Sequence, residues 1–273
     1  MKGQIDMARD RRDTYYWRAK DEGYRSRAAY KLFQINEKHE VIKEDDTIVD
    51  LGAAPGGWLE VAKKISGGKI VGVDLRRIKE IEGVETIKGD ITSDETIKKI
   101  IELVGEGGAD VVICDAAPNL SGNWSLDHAR SIDLTTSALE CAKKILKPKG
   151  HFIVKVFQGD MFKEYMDKVR ESFTYTRAFS PKASRPESAE IYVIGKKLLT
   201  APLKIDDKFD VTIKKIGAKG NGIAFVEDFV VFMQDEVKKG ENVRIKIVDV
   251  KPEFAFAIVI GRYDEELNEK NEE

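Results

Sequence analysis

Residues 50–58, Asp-Leu-Gly-Ala-Ala-Pro-Gly-Gly-Trp, connect a short apolar run, TIVDLG, to an amphipathic stretch, GGWLEVAKKIS. The apolar run predicts a β-strand, and the amphipathic stretch predicts an α-helix. Small residues between a strand and the first turn of a helix allow a ligand to approach the backbone closely, and ligands bind at such places in open α/β sheets. The segment therefore predicts a ligand site at the carboxyl edge of a parallel sheet.

The alternation of strand and helix patterns continues on both sides of this loop. Two helical patterns, over about residues 6–20 and 25–39, come before it. After it, KIVGVDL, VETIKG, ADVVICDAA and HFIVKVF predict strands, while SDETIKKIIELV, SLDHARSIDLTTSALECAKKIL and MFKEYMDKVRESF predict helices. This order is typical of an α/β, Rossmann-like, doubly wound parallel sheet with helices on both faces. FTYTRAFSP and AEIYVIGKKL predict two more strands, paired antiparallel at the sheet edge.

The pattern changes at residues 198–204, LLTAPLK, which we interpret as a linker after a first domain of residues 1–197. Short β-rich runs separated by turns follow over residues 205–263 and predict a small closed β-barrel. We expect most phenylalanines of this barrel to lie inside, because so small a barrel needs them for its core. Residues 264–273, DEELNEKNEE, carry six acids against one lysine and predict a disordered, acidic tail.

Length and composition agree with two folded domains. The chain has 273 residues, of which 42% are hydrophobic and 34% charged, so a disordered chain or a disulfide-stapled minimal fold is excluded. We expect a cytoplasmic protein without a membrane partner, because no stretch approaches the roughly 18 consecutive apolar residues of a membrane span and the N-terminus lacks the apolar core of a secretory signal. Cys114 and Cys141 lie in apolar or helical patterns without a CxxC pair, which predicts buried thiols.

Charge is distributed unevenly, although the formal net charge is only -2. Residues 1–31 carry nine Lys/Arg against five Asp/Glu, interleaved with four tyrosines and Trp17. Cations mixed with aromatic side chains favour a polyanion, so we interpret this N-terminal segment as a polyanion-binding surface. The alternative is a solvated amphipathic helix whose aromatic residues face the core.

The loop at residues 50–58 also restricts the class of ligand. The dinucleotide pattern GxGxxG fails after Gly52, Pro55 removes an amide that a diphosphate would use, and no Lys-Ser/Thr follows the glycines as in a P-loop. Three acids follow consecutive predicted strands: Asp74 could bind ribose hydroxyls, Asp90 could accept an adenine amino group, and Asp115 lies after the fourth strand. A negatively lined pocket favours the cationic sulfonium of S-adenosylmethionine over NAD or ATP. The alternative for each single aspartate is a helix cap or a turn.

The sequence resembles the FtsJ/RrmJ (RlmE) family of ribose 2′-O-methyltransferases, whose fold is the class I methyltransferase sheet. The resemblance covers about residues 9–197. It is carried by RSRAAYKL (25–32), DLGAAPGGW (50–58), GVDL (72–75), KGD (88–90), CDAAPNLSG (114–122), VKVFQG (154–159) and SRPESAEIYVIG (184–195). Residues 205–263 resemble a TRAM domain, an OB-like RNA-binding barrel. One departure is Pro186 and Ala189, which replace a more basic stretch before Glu190.

The resemblance implies specific site residues and a specific reaction. It implies a catalytic set of two lysines and two acids, and a second set of residues that bind the cofactor. The catalytic set is Lys31, Asp115, Lys155 and Glu190; the cofactor-binding set is Gly56, Trp58, Asp74, Asp90 and Asp115. The implied reaction is S-adenosylmethionine-dependent methylation of a uridine 2′-hydroxyl in large-subunit (23S) ribosomal RNA, with that RNA or the assembled large subunit as partner and no protein partner.

Methyl transfer to a hydroxyl requires positioning and removal of a proton. A lysine accepts a proton only as the neutral amine, which a second nearby cation favours, so we expect Lys31 beside Lys155 and assign Lys155, on an apolar strand, as the general base. No HExxH or Cys/His cluster implies a metal. Two alternatives remain: ribose methylation of transfer RNA, and a non-catalytic RNA-binding factor of ribosome assembly, which would not need two lysines among acids.

Overall fold

The computed structural model describes residues 14–185, 188–199, 203–217, 220–251 and 254–263. The first half of the predicted helix at 6–20 and the acidic tail at 264–273 lie outside these residues. The chain divides into two compact units between Leu198 and Leu199. Within the described residues, no helix is both long enough and apolar enough to cross a membrane.

The first unit alternates helices and strands in the predicted order. Its helices are α1 (Thr14–Asp21), α2 (Ala29–His39), α3 (Gly57–Ile65), α4 (Asp94–Val104), α5 (Trp124–Ile145) and α6 (Phe162–Ser172). Its strands are β1 (Ile48–Leu51), β2 (Ile70–Asp74), β3 (Glu85–Lys88), β4 (Ala109–Cys114), β5 (Leu146–Phe157), β6 (Phe173–Phe179) and β7 (Glu190–Leu198). Helix α2 begins four residues later than its sequence pattern, and α5 ends at Ile145, just before Pro148 and Gly150.

The seven strands form one sheet in the order β3-β2-β1-β4-β5-β7-β6. Strands β1 to β5 are parallel, whereas β7 pairs antiparallel with both β5 and β6. The predicted α/β fold with an antiparallel pair at one edge is therefore confirmed. Strand β7 lies between β5 and β6. Because β7 runs antiparallel to β5, the first residue of β7, Glu190, lies opposite Phe157 at the carboxyl end of β5.

Helices cover both faces of this sheet because neighbouring strand residues point to opposite sides. One face packs Val112, Val154 and Leu139 with other residues of α4, α5 and α6. The other packs Ile113, Ile153 and other residues against α2 and α3. The two predicted buried thiols are confirmed: Cys114 and Cys141 are free and buried. Burial raises the pKa of the Cys114 thiol to about 12 and that of Cys141 to about 11.

The second unit is a six-stranded sheet with its own core. Its strands are β8 (Lys208–Thr212), β9 (Lys215–Ile216), β10 (Gly222–Val226), β11 (Phe229–Met233), β12 (Asn242–Val250) and β13 (Phe254–Tyr263). Their order is β8-β12-β13-β11-β10-β9, and β11 pairs parallel with β13. Two residues of the predicted linker belong to folded cores: Leu198 ends β7 in the first unit and Leu203 is buried in the second.

The position of the phenylalanines in the second unit differs from our expectation. Burial alternates along β13: Ala255 and Ala257 are fully buried, whereas Phe254 and Phe256 are only partly buried. Phe232 on β11 contacts both rings, with centroids 5.5 Å and 6.0 Å away. These three phenylalanines therefore form a cluster on the outer face of the sheet. The expectation that most phenylalanines lie inside is wrong, because alanines and β-branched residues already fill the core.

Candidate active site

The loop between β1 and α3 follows the carboxyl end of β1 closely. The amides of Gly52 and Ala53 both donate to the Val73 carbonyl of β2, at 2.8 Å and 3.0 Å. Gly52 has a φ of 75°, and a Cβ there would lie 2.5 Å from the Cβ of Ala116 after β4. Only glycine therefore allows the loops after β1 and β4 to touch, which brings the residues after β4 to the start of α3.

Gly56 and Arg25 fix the turn into α3. Gly56 is the N-cap, with a φ of 111°, where an L side chain would be strained. The Arg25 guanidinium packs against it and donates to the carbonyls of Pro55, Lys79 and Glu80, as well as to Glu60. Arg25 belongs to the basic N-terminal segment, so at least one of those nine cations supports the loop rather than facing a polyanion.

Asp74 ends β2 and bonds to the same loop. Its Oδ2 accepts the Ala54 amide at 2.9 Å, and its Oδ1 accepts the Arg76 amide at 2.8 Å. Asp74 is only 8% exposed. Oδ1 also accepts the Arg76 Nε–H at 3.3 Å. Because each carboxylate oxygen has two lone-pair sites, Oδ2 keeps the capacity to accept one further hydrogen bond from a ligand hydroxyl.

Asp90, after β3, is exposed and forms a turn. Its Oδ1 accepts the Thr92 amide at 2.8 Å and the Thr92 hydroxyl at 2.7 Å. These two hydrogen bonds hold the pKa of the Asp90 carboxyl below its usual value. Asp90 therefore forms a turn, which was the alternative that the sequence left open for it. Its carboxyl is ionised at neutral pH and can accept a hydrogen bond from a ligand amino group.

The Trp58 side chain lies in the core rather than in an open pocket. It is 3% exposed, and its indole N–H donates to the Ala28 carbonyl at 2.8 Å. Its ring lies 5.7 Å from the ring of Tyr192. Trp58 is the second residue of α3, so its backbone N–H is one of the first helix amides, which have no hydrogen-bond acceptor within the helix.

Lys155 and Asp115 form the first ion pair at the carboxyl edge of the sheet. The Lys155 Nζ lies 3.1 Å from Asp115 Oδ1 and donates to the Asp115 main-chain carbonyl at 2.5 Å. The two side chains are 10% and 17% exposed. Asp115 directly follows β4 and Lys155 lies near the end of β5, so two adjacent parallel strands place this pair.

Lys31 and Glu190 form the second ion pair. The Lys31 Nζ lies 2.5 Å from Glu190 Oε1, and both side chains are nearly buried. We expected Asp115 and Glu190 to orient the two lysines and keep the net charge near neutral, and in the structure each lysine pairs with one of these two carboxylates. Charge in the site is therefore balanced pair by pair.

Tyr192 connects the two pairs, and our sequence reasoning missed it. Its hydroxyl donates to Asp115 Oδ1 at 2.6 Å, and the Lys31 Nζ lies 5.8 Å from the centre of its ring. Burial, with added repulsion from Asp115 and Glu190, raises the pKa of the Tyr192 phenol well above its ordinary value, so the phenol stays a donor. A signal was present: Tyr192 is two residues after Glu190 on a predicted strand, and hence on the same face.

Asp50 is a second residue that the sequence reasoning missed. It lies on β1, is 1% exposed, and neither carboxylate oxygen has a hydrogen-bond partner among the described residues. Burial, with repulsion from Asp115 and Asp74, raises the pKa of the Asp50 carboxyl well above its ordinary value. The Asp50 carboxyl, at the start of the glycine loop, therefore keeps its proton to a higher pH than an ordinary aspartate does. Asp50 was visible in the sequence only as the first letter of the loop motif.

The residues of this edge fit a compact cationic ligand. Asp74 ends β2, Asp90 and Asp115 follow β3 and β4, and Gly56 and Gly57 contribute no side chain of their own at the start of α3. Across the described part of the chain, no three His, Cys, Asp or Glu side chains are grouped so that they could hold a metal ion.

Comparisons with known proteins give the same division of the chain. The family model described as FtsJ-like methyltransferase matches residues 24–198, and the TRAM domain model matches residues 204–260. A solved structure of a ribosomal RNA methyltransferase from Plasmodium falciparum superposes with a TM-score of 0.59 at 30% identity, covering 65% of this chain and 100% of that one.

Relatives similar over nearly the full length carry one name. The Ribosomal RNA large subunit methyltransferase E of Methanosarcina acetivorans is 69% identical over 265 residues, which is 97% of each chain. That of Methanothrix thermoacetophila is 56% identical over 256 residues, covering 94% of this chain and all of the relative. The resemblance seen in the sequence is thus confirmed, and with a family match over most of its length and these identities the chain belongs to the FtsJ-like methyltransferases, a family of enzymes that transfer methyl groups.

Proposed function

We propose that this enzyme methylates the ribose 2′-hydroxyl of a uridine in large-subunit ribosomal RNA, with S-adenosylmethionine as methyl donor. The observation that carries the proposal is the pair of ion pairs, Lys155–Asp115 and Lys31–Glu190, beside the glycine loop. Relatives of up to 70% identity bear the name of a ribosomal RNA large subunit methyltransferase. A purely RNA-binding factor would not need two nearly buried ion pairs at the carboxyl edge of a sheet.

Binding of the donor is assigned to the loop and the three strand-end acids. When bound, S-adenosylmethionine supplies a methyl group carried on a positively charged sulfur. We assign its ribose to Asp74, its adenine to Asp90 and its charged end to the side of Asp115, with the backbone of Gly56 and Trp58 at the helix N-terminus. Support comes from the low exposure of Asp74 and from the ionised state of Asp90.

Transfer requires the ribose oxygen to gain a methyl group and to lose its proton. We assign Lys155 as the general base that takes this proton, because its amine lies near the end of β5 at the carboxyl edge of the sheet. For this role the Lys155 ammonium first releases a proton to solvent, which leaves a neutral amine beside Asp115 to accept the proton of the ribose hydroxyl. Asp115 orients Lys155 through its carboxylate and carbonyl, and Tyr192 holds the Asp115 carboxylate in turn. Lys31, held by Glu190, supplies a fixed positive charge for the developing oxyanion.

A single-turnover transfer assay with a labelled methyl donor tests the proposal. The acceptors are unmethylated large-subunit particles, free large-subunit RNA, small-subunit RNA and bulk transfer RNA. We expect label in the large-subunit acceptors and in a 2′-O-methylated uridine after nuclease digestion. Label in transfer RNA alone would instead establish the alternative substrate, and donor binding without transfer to any acceptor would favour the non-catalytic factor.

The two units are also assigned separate roles. We assign residues 205–263 to RNA binding and residues 1–197, whose first 40 residues face RNA, to catalysis. The match to the TRAM domain model over residues 204–260 supports the first assignment. The exposed aromatic side chains of Tyr16 and Trp17 on α1 support RNA contact by the N-terminal segment.

A further inference from the structure

An aromatic stack lies at the carboxyl edge of the sheet, next to the proposed base but outside the residues assigned so far. Trp124 begins α5, and its ring is nearly parallel to the rings of His128 and Phe157, at 16° and 21°. The centroid distances are 6.0 Å and 6.2 Å. We call these three residues the Trp124 stack.

The indole of the stack is accessible. Trp124 is 52% exposed, which is far more than the buried Trp58 of the same unit. Leu120 in the loop after β4 is 68% exposed, and Met161 in the loop after β5 is 39% exposed. Large apolar side chains with this exposure, gathered on the loops around a ligand edge, mark a surface that meets a partner.

The backbone around Trp124 is held in place by its own helix. The buried Asp127 accepts the Ser121 amide and hydroxyl, each at 2.7 Å, and the Gly122 amide at 3.1 Å. His128 accepts the Met161 amide at 3.2 Å, which ties the loop after β5 to the same helix turn. The first turn of α5 therefore fixes both loops, and the indole is presented on a rigid support, as a preorganised contact requires.

The stack lies close to the reacting group along the chain. Phe157 is two residues beyond Lys155 on β5, a separation of about 7 Å at the rise of a β-strand. A nucleotide whose ribose reaches Lys155 would thus have its base within reach of this edge. Flat rings arranged in parallel with one exposed indole match the flat faces of a nucleobase, and stacking of this kind is the common way in which proteins hold unpaired bases.

We propose that the Trp124 stack binds the base of the target nucleotide, or of its direct neighbour, by stacking, and so positions the ribose hydroxyl at Lys155. The inference rests on the proposed function, because it places an RNA nucleotide beside the base. The ligand is an unpaired nucleobase in single-stranded RNA. Trp124 is then a positioning residue, whose effect falls on RNA binding rather than on donor binding.

Steady-state methylation of large-subunit RNA by full-length variants tests this. Trp124→Ala should raise the KM for RNA about 10-fold to 100-fold, the range that one stacked base contributes, with a smaller change in kcat. Trp124→Phe should restore most of the affinity, because a phenyl ring also stacks. Leu126→Ala, which truncates another exposed apolar residue on the same helix, is the matched control and should behave like wild type.

Two readouts separate this role from a structural one. The dissociation constant for S-adenosylmethionine, measured by calorimetry, should be unchanged in Trp124→Ala, which also shows that the variant is folded. A KM for RNA within twofold of wild type in Trp124→Ala would overturn the proposal. Equal losses in Trp124→Ala and Trp124→Phe would overturn it as well, since stacking would then not explain the effect.

A binding assay keeps the inference testable if the enzyme proves inactive on ribosomal RNA. The probe is a short single-stranded oligouridylate, titrated while tryptophan fluorescence is recorded. Quenching in wild type that is lost in Trp124→Phe, while anisotropy of a labelled oligouridylate shows that this variant keeps most of the affinity, supports the stack even when the proposed function fails. Identical quenching in both proteins refutes it.

Discussion

Replacing Asp50 with asparagine should stabilise the first unit, and by more as the pH rises. Asp50 is 1% exposed, and its carboxylate oxygens have no hydrogen-bond partner within the described residues. Burial first, and then Asp115 and Asp74, raise the pKa of the Asp50 carboxyl well above its ordinary value. The folded protein therefore keeps on this carboxyl a proton that the unfolded chain releases.

The sign and the ceiling of the effect follow from linkage. Between the unfolded pKa of aspartate, about 3.9, and the raised folded pKa, the native state binds one proton more than the unfolded state. The contribution of Asp50 to the free energy of unfolding is thus fully present below that range and falls as pH rises, by at most about 1.4 kcal/mol per pH unit. The fall ends once the pH passes the folded pKa. Asparagine carries no such proton, so its advantage over wild type grows across the same range.

Urea unfolding followed by tryptophan fluorescence measures this difference in the relevant unit, because all three tryptophans lie before residue 125. Asp110→Asn is the matched control: Asp110 lies on the adjacent strand β4, accepts the Thr47 amide and pairs with Lys147. We expect the difference between Asp50→Asn and wild type to grow from about pH 5 to about pH 9, and to grow more steeply than the difference between Asp110→Asn and wild type. A difference for Asp50→Asn that stays constant over this range would refute the raised pKa of the buried carboxyl.

Four further outcomes are expected. Asp74→Ala should weaken S-adenosylmethionine binding by about 1.5–3 kcal/mol in calorimetry while RNA binding stays near wild type; equal donor affinity would remove Asp74 from the pocket. Lys155→Arg should have almost no single-turnover activity, since a guanidinium does not accept a proton at neutral pH, and near-native rates would contradict the general-base role. A chain ending at Leu198 should still bind the donor but show weaker RNA binding with a shallower salt dependence; equal slopes would mean that the second unit serves another purpose. Cys114 and Cys141 should react with a thiol reagent only in denaturant, and rapid labelling of the native protein would contradict their burial.

The sequence predicted the fold well because its signals were periodic and redundant. The central strands β1, β2 and β4 are short apolar runs, and most helices between them show an apolar stripe, so the order of elements was predictable without tertiary information. The inner and outer faces of β13 were not readable. FAFAIVI is apolar at every position, so a period of two does not show which set faces the core. The smaller alanines face inward because space inside the sheet is limited.

The four residues proposed for catalysis form two ion pairs in the structure, and the sequence did not specify which lysine pairs with which acid. The motifs gave Lys31, Asp115, Lys155 and Glu190, but the partner of each lysine depends on side-chain directions that no motif specifies. Trp58 shows a similar limit, since a motif residue contributes its backbone to the helix N-terminus while its indole packs in the core. Tyr192 was missed because a buried tyrosine on an apolar strand looks like core until its hydroxyl partner is known.

The position of β7 has a consequence for when activity arises during synthesis. Glu190 and Tyr192 belong to the last strand that the first unit adds, yet they hold Lys31 and Asp115 from much earlier parts of the chain. A growing chain that has only reached β5 already contains the ligand loop and Lys155, but it lacks the partners that set the charge and orientation around them. The glycine loop and Lys155 are therefore translated before Glu190 and Tyr192, and the network of ion pairs and hydrogen bonds that joins them is complete only once β7 has been made.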